Sequence, residues 1–152
     1  MSTKSKATPA KAVPAKKAPA KVAPTKTSPE ATPELNIKVI KSAETTSLTG
    51  TGVLCYEIGK DDSGETYYRI TANNAGGFFS KEWVSWTKIY AGINGHDPIT
   101  SILFRGLFRG KSVNTAGFLL AALKDQKLIA CKAGKSRHYT LTEAAHKLQR
   151  KD

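Results

Sequence analysis

Four lysines, Lys11, Lys16, Lys21 and Lys26, stand five residues apart, each two places beyond a proline (Pro9, Pro14, Pro19 and Pro24). A lysine ammonium only donates hydrogen bonds and carries a full charge, so an evenly spaced row of them pairs with an evenly charged anion rather than performing a reaction. Together with Lys17 they form a cationic strip whose natural counterpart is the phosphate backbone of a nucleic acid. A second basic group sits in the last third of the chain: Arg105, Arg109, Lys111, Lys132, Lys135, Arg137 and His138. Short polar side chains interleave with it at Ser112, Asn114, Thr115 and Ser136. Asparagine can read adenine through two hydrogen bonds, and serine or threonine can bond a base edge or a phosphate.

Charge follows this division. The 152 residues carry 24 Lys+Arg against 12 Asp+Glu, net +12. Residues 1–34 hold seven cations and two anions, net +5; residues 35–98 are close to neutral at −1; residues 99–152 hold eleven cations and three anions, net +8. A basic balance kept only for solubility would be spread more evenly, so the two ends are expected to meet an anionic polymer. Engaging about 5–8 phosphates across both ends predicts a log–log salt slope of roughly −5 to −7.

Other chemistries find no residues to carry them. His96, His138 and His146 share no ligand spacing with any Cys, Asp or Glu, so neither metal nor cofactor is expected. Asp61, Asp62 and Glu65 read as a solvated turn. No nucleophile–base set and no phosphate-binding glycine loop occurs, so neither an enzyme nor a small-molecule substrate is expected. Cys55 and Cys131 are single, far apart and in strand-like sequence, and read as two buried thiols of a reducing compartment. There is no apolar run of membrane length and no apolar leader core. The sequence therefore predicts an intracellular protein, cytoplasmic or nucleoid-associated, or nuclear in a eukaryote.

The elements that must hold these groups can be read from pattern. Proline every five residues interrupts any helix, and Ala and Lys offer little to bury, so residues 1–34 are expected to stay disordered with polyproline II character and a reach on the order of 100 Å. Ser28 and Thr32, each before a proline, could be phosphorylated, which would weaken an electrostatic grip. Residues 35–40 alternate as a short strand and 41–52 read as a loop. Residues 53–58 and 65–71 are β-rich and flank a turn, which predicts a hairpin. Helical spacing of Trp83, Trp86, Tyr90 and Ile93 predicts a helix over 81–93 capped by Ser80, with a strand through 78–84 as the competing reading. A short helix over 101–108 with Ile102, Leu103 and Leu107 apolar, a longer one over 115–126, strands at 129–132 and 137–141, and a final helix over 143–150 complete the chain. The aromatics crowded into 56–90 are expected in the core. The fold class is α+β, with a basic tail (1–34), a β-rich segment (35–79) and a C-terminal domain (80–152).

The order from residue 80 onward, with Ser112 to Ile129 followed by a basic hairpin and then Tyr139, Thr140, Leu141 and Thr142, resembles the winged helix-turn-helix family. That resemblance implies a recognition helix entering double-stranded DNA with Ser112, Asn114 and Thr115 at its leading turn. It makes Gly134, Lys135, Ser136 and Arg137 a wing tip, with Lys132 and His138 beside it and Arg105, Arg109 and Lys111 around the turn as phosphate contacts. The tail, notably residues 14–21, is similar to the Lys-Ala-Pro tails of linker histones and bacterial histone-like proteins. Gly117, Phe118 and Ala121 stand where mid-helix base readers would be and cannot hydrogen-bond a base. Three uses therefore stay open: specific readout, shape-based DNA binding, and an assembly module that binds protein, or a second copy, through the apolar helix 118–123 and the β-rich segment. The leading expectation is a non-enzymatic DNA-binding protein, nucleoid- or chromatin-associated or a transcriptional regulator.

Overall fold

A computed structural model describes residues 35–151; the pentad repeat and its lysines 11, 16, 17, 21 and 26 lie outside the described residues. The described residues are α+β, with a four-stranded antiparallel sheet in the order β1-β2-β3-β4 and helices packed on one face.

β1 spans Lys38–Thr46, β2 Val53–Lys60, β3 Thr66–Asn73 and β4 Val84–Ser85. β2 and β3 form the expected hairpin, with Tyr56 opposite Ile70 and Ile58 opposite Tyr68, and all four side chains are buried. β1 runs six residues beyond the expected strand 35–40, into the stretch expected to be a loop, and the turn to β2 begins only at Ser47. Its polar composition misleads because β1 is an edge strand: only Ala43 and Thr45 are half-covered, and an edge tolerates polar side chains on both faces. On the far face Glu57 and Arg69 stand directly opposite each other, bonded at 2.7 Å through Nε, and the Arg69 guanidinium lies 4.4 Å over the Trp83 ring. The turn between β2 and β3 is held by Asp61, whose Oδ1 accepts from the Ser63 and Glu65 amides.

The helix expected over 81–93 begins later. Val84 and Ser85 pair with Tyr68 and Tyr67 as β4, and α1 is Trp86–Ile93. Ser85, not Ser80, is the N-cap, its Oγ accepting from the Lys88 amide at 3.4 Å. Ladder pairing to β3 satisfies backbone groups that a first helical turn would have left open, and so wins over the helical period of Trp83. Ile99 then bridges to Tyr139 by two backbone bonds of 2.7 and 3.0 Å. Ser101–Phe108 is a 3₁₀ helix that buries Phe104 and Phe108. Ile102, one of its apolar residues, is 63% exposed.

α2 is Asn114–Asp125, packed against the 3₁₀ helix, β1 and β3. Seven of its residues are buried, Thr115, Ala116 and Leu119 through Leu123, because small alanines let the sheet and the 3₁₀ helix approach from different sides. It ends in a Schellman motif: the Leu128 amide bonds the Leu123 carbonyl, the Lys127 amide bonds that of Lys124, and Lys127 takes φ = 58°. β5 (Ile129–Cys131) and β6 (Tyr139–Leu141) form a second, two-stranded sheet. The second strand is shorter than expected, leaving Arg137 and His138 in the connecting loop, which is closed by the Lys132 amide on the His138 carbonyl. α3 is Glu143–Gln149, tied to α1 by Tyr90 Oη and His146 Nδ1 at 2.8 Å.

Tyr56, Ile58, Tyr68 and Ile70 of the sheet join Trp86, Ile89, Phe104, Leu119, Leu123, Ile129 and Tyr139 in one apolar cluster. The boundary drawn at residue 79/80 thus runs through a shared core. Truncating Leu119 to Ala there would cost about 2–5 kcal/mol.

Candidate nucleic-acid interface

The 3₁₀ helix turns Phe104 and Phe108 inward, which leaves Arg105 and Arg109 exposed. The β5–β6 loop, turned at Gly134 with φ = +74°, exposes Lys132, Lys135, Ser136 and Arg137 and half-buries His138. Arg105, Arg137 and His138 come together around a groove of about 480 Å³, with Thr49, Ser101, Ile102, Gly117 and Leu120 along its walls and floor. Leu48 lines it too, from the β1–β2 turn. No carboxylate lines the groove. A smaller hollow of about 210 Å³ shares Leu48, Thr49, Ser101 and Gly117 with it and is also lined by Val113, Asn114 and Phe118.

The expected contact residues divide into three groups. Arg105, Arg137 and His138 line the groove, while Arg109, Lys135 and Ser136 are exposed outside it. None of Arg105, Arg109, Lys135 and Arg137 forms an ion pair among the described residues. Lys111 and Lys132 are engaged, at 2.7 Å with Glu82 and at 2.7 Å with Asp97 respectively. The hydrogen bond and charge of Lys111 hold the Glu82 carboxyl below its usual range.

The third group, Ser112, Asn114 and Thr115, is hydrogen-bonded to the chain's own backbone, and of the three only Thr115 is buried. Thr115 is only 1% exposed, and its Oγ1 accepts the Ser80 amide at 2.8 Å. Ser112 Oγ and Asn114 Nδ2 both donate to the Phe78 carbonyl, the latter at 3.2 Å. The first turn of α2 is a clamp on its own segment 78–80. Gly77, at φ = +96°, belongs to the same clamp, since a Cβ there would meet Asn114 Nδ2 at 3.2 Å. Nor is the apolar helix face a free docking surface: Leu119 through Leu123 are buried in the protein's own core.

Sequence reasoning missed Leu48, Thr49 and Ile102. It met Gly117 only as a departure from pattern, although an isolated glycine inside a helix is itself a signal of close approach. Cys131, expected to be buried, is exposed; Cys55 is half-buried, and desolvation and the Glu44 charge push its thiol up. Among the described residues no three His, Cys, Asp or Glu side chains gather as a metal would need, and no helix is long and apolar enough to cross a membrane. No family model, curated protein or solved structure matches the chain.

Proposed function

We propose that this chain is a non-enzymatic nucleic-acid-binding protein of winged-helix type. Its basic groove and β5–β6 loop grip the phosphate backbone, and the lysines of residues 1–34 add salt-sensitive affinity. The winged-helix reading is supported by the order of α1, the Ile99 bridge, the 3₁₀ helix, α2 and the β5–β6 hairpin with its basic loop. The binding reading rests on one observation: Arg105, Arg137 and His138, from elements far apart in sequence, converge on a single groove that no carboxylate lines. Guanidinium groups that form no ion pair among the described residues suit phosphate, which they contact through fixed, forked donors. In this reading α2 is a scaffold, because its polar first turn and apolar faces are occupied by the chain itself.

A salt-titrated gel shift with full-length protein and a form lacking residues 1–34 tests the proposal. The full chain should show a log–log slope of roughly −5 to −7, and the shortened form a shallower one. Arg105→Glu with Arg137→Glu should weaken the shortened form at least about tenfold, since two contacts become repulsions. Absence of binding by either form at low salt, or indifference to the double charge reversal, would refute it.

A further inference from the structure

We infer that the groove receives single-stranded nucleic acid, its bases in the groove and its phosphates on the rim. The inference rests on the nucleic-acid reading above and names the form of the ligand. Reading a duplex requires an element that protrudes into a major groove roughly 12 Å wide. Here Thr115 is buried and Ser112 and Asn114 are tied to the Phe78 carbonyl, while Arg105, Arg137 and His138 gather at a hollow of about 480 Å³ lined by the β1–β2 turn, the 3₁₀ helix, α2 and the β5–β6 loop. A rigid duplex cannot bend into such a hollow, whereas an unpaired strand can turn its bases into it.

The lining has the chemistry of bases as well as of phosphates. Ile102 and Leu48 are exposed aliphatic side chains within a basic surface, of no use to a phosphodiester but suited to the face of a base. Arg105, Arg137 and His138 present planar cations or an imidazole, on which bases stack without regard to sequence. Thr49 and Ser101 add hydroxyls. Gly117 is the sharpest sign. Glycine in a helix interior lowers stability, yet outside its chain neighbours and the helix's own nearby backbone no atom lies within 4 Å of where a Cβ would project here, so no packing contact requires it. Gly92 and Gly106 are open in the same way, but only Gly117 lines the groove. Its missing side chain keeps the floor clear for a ligand to approach the backbone.

The test is fluorescence anisotropy of the full chain with a labelled oligothymidylate 15-mer and with a 15-base-pair duplex, comparing wild type with Gly117→Leu. Leucine enters open space and improves the helix, so the thermal midpoint should hold or rise while the groove fills. The expected result is that single-strand affinity falls at least about tenfold, the loss of about one stacked base, and duplex affinity changes less than about twofold. Ile102→Ser, an uncharged change at a 63% exposed side chain, should reproduce this selectivity. If wild type binds neither probe, the nucleic-acid reading itself fails. If wild type binds the single strand and Gly117→Leu binds it equally well, that reading stands and the groove inference is overturned. Preference of wild type for the duplex, or groove-dependent binding of an acidic peptide in place of the oligonucleotide, also overturns it.

Discussion

Replacing Thr115 by Val separates a structural clamp from a base-reading residue. Valine keeps the shape of the side chain and its burial but removes Oγ1, the acceptor of the Ser80 amide at 2.8 Å. A buried donor left without its partner costs about 1–3 kcal/mol. Ser80 is half-buried, so water can partly replace the lost bond, and the new methyl group recovers some apolar burial. A net loss of about 1 kcal/mol follows, which for a domain of this size lowers Tm by roughly 3–6 °C. Circular dichroism melts measure that loss, and hydrogen exchange should show the Ser80 amide losing protection. Anisotropy, recorded well below the melting point, should find nucleic-acid affinity within about twofold of wild type. The opposite pair of results, an unchanged Tm with affinity reduced tenfold, would mean that the hydroxyl meets the ligand and that the clamp has been misread.

Lys127 occupies the left-handed C′ position of the α2 Schellman motif at φ = 58°, where a side chain is strained and glycine is not. Lys127→Gly should therefore raise stability by about 0.5–1 kcal/mol in urea unfolding, despite glycine's greater freedom in the unfolded chain; a loss of stability would show that the lysine stem packs usefully. Cys131 is exposed, while Cys55 is half-buried with its thiol pushed up by desolvation and by Glu44. Since the thiolate is the reactive form, limited iodoacetamide at about pH 8 should label Cys131 first, and mass spectrometry showing Cys55 labelled first would contradict this placement.

The elements legible in the sequence were those whose pattern and partner agree. Tyr56, Ile58, Tyr68 and Ile70 alternate as a hairpin core should, and the apolar run from Ala116 to Leu123 announces a buried helix. Misreadings arose where a tertiary partner outweighed local preference. Ser80 has a capping side chain, but the ladder between β4 and β3 delays the helix to Ser85. Ser112, Asn114 and Thr115 have the chemistry of base readers, and nothing local reveals that the carbonyl of Phe78 and the amide of Ser80, more than thirty residues upstream, are their partners. Lys111 and Lys132 lie in a basic stretch, and only the fold brings Glu82 and Asp97 to them. Arg105 and Arg137 were identifiable by type and charge. Their meeting at one groove depends on the fold bringing the 3₁₀ helix and the β5–β6 loop to the same hollow, which no spacing encodes.

A further question is whether the sheet could swing away and free α2 to enter a duplex. Moving it off the helical layer would bare Tyr56, Ile58, Tyr68 and Ile70, all buried in the common cluster. At about 1.5–3 kcal/mol for each side chain, exposure costs roughly 6–12 kcal/mol, comparable with the whole stability of an ordinary domain. Polar ties add to this: Tyr56 Oη donates to Asp125 at 2.5 Å, and Lys41 reaches Gln126 at 3.2 Å, so β2 and β1 each hold the C-terminal end of α2. A sheet lifted from α2 would amount to a largely unfolded domain rather than an open conformer. Under the proposed reading a nucleic acid would meet the protein as it stands, with α2 held under its sheet and Arg105, Arg137 and His138 around the groove.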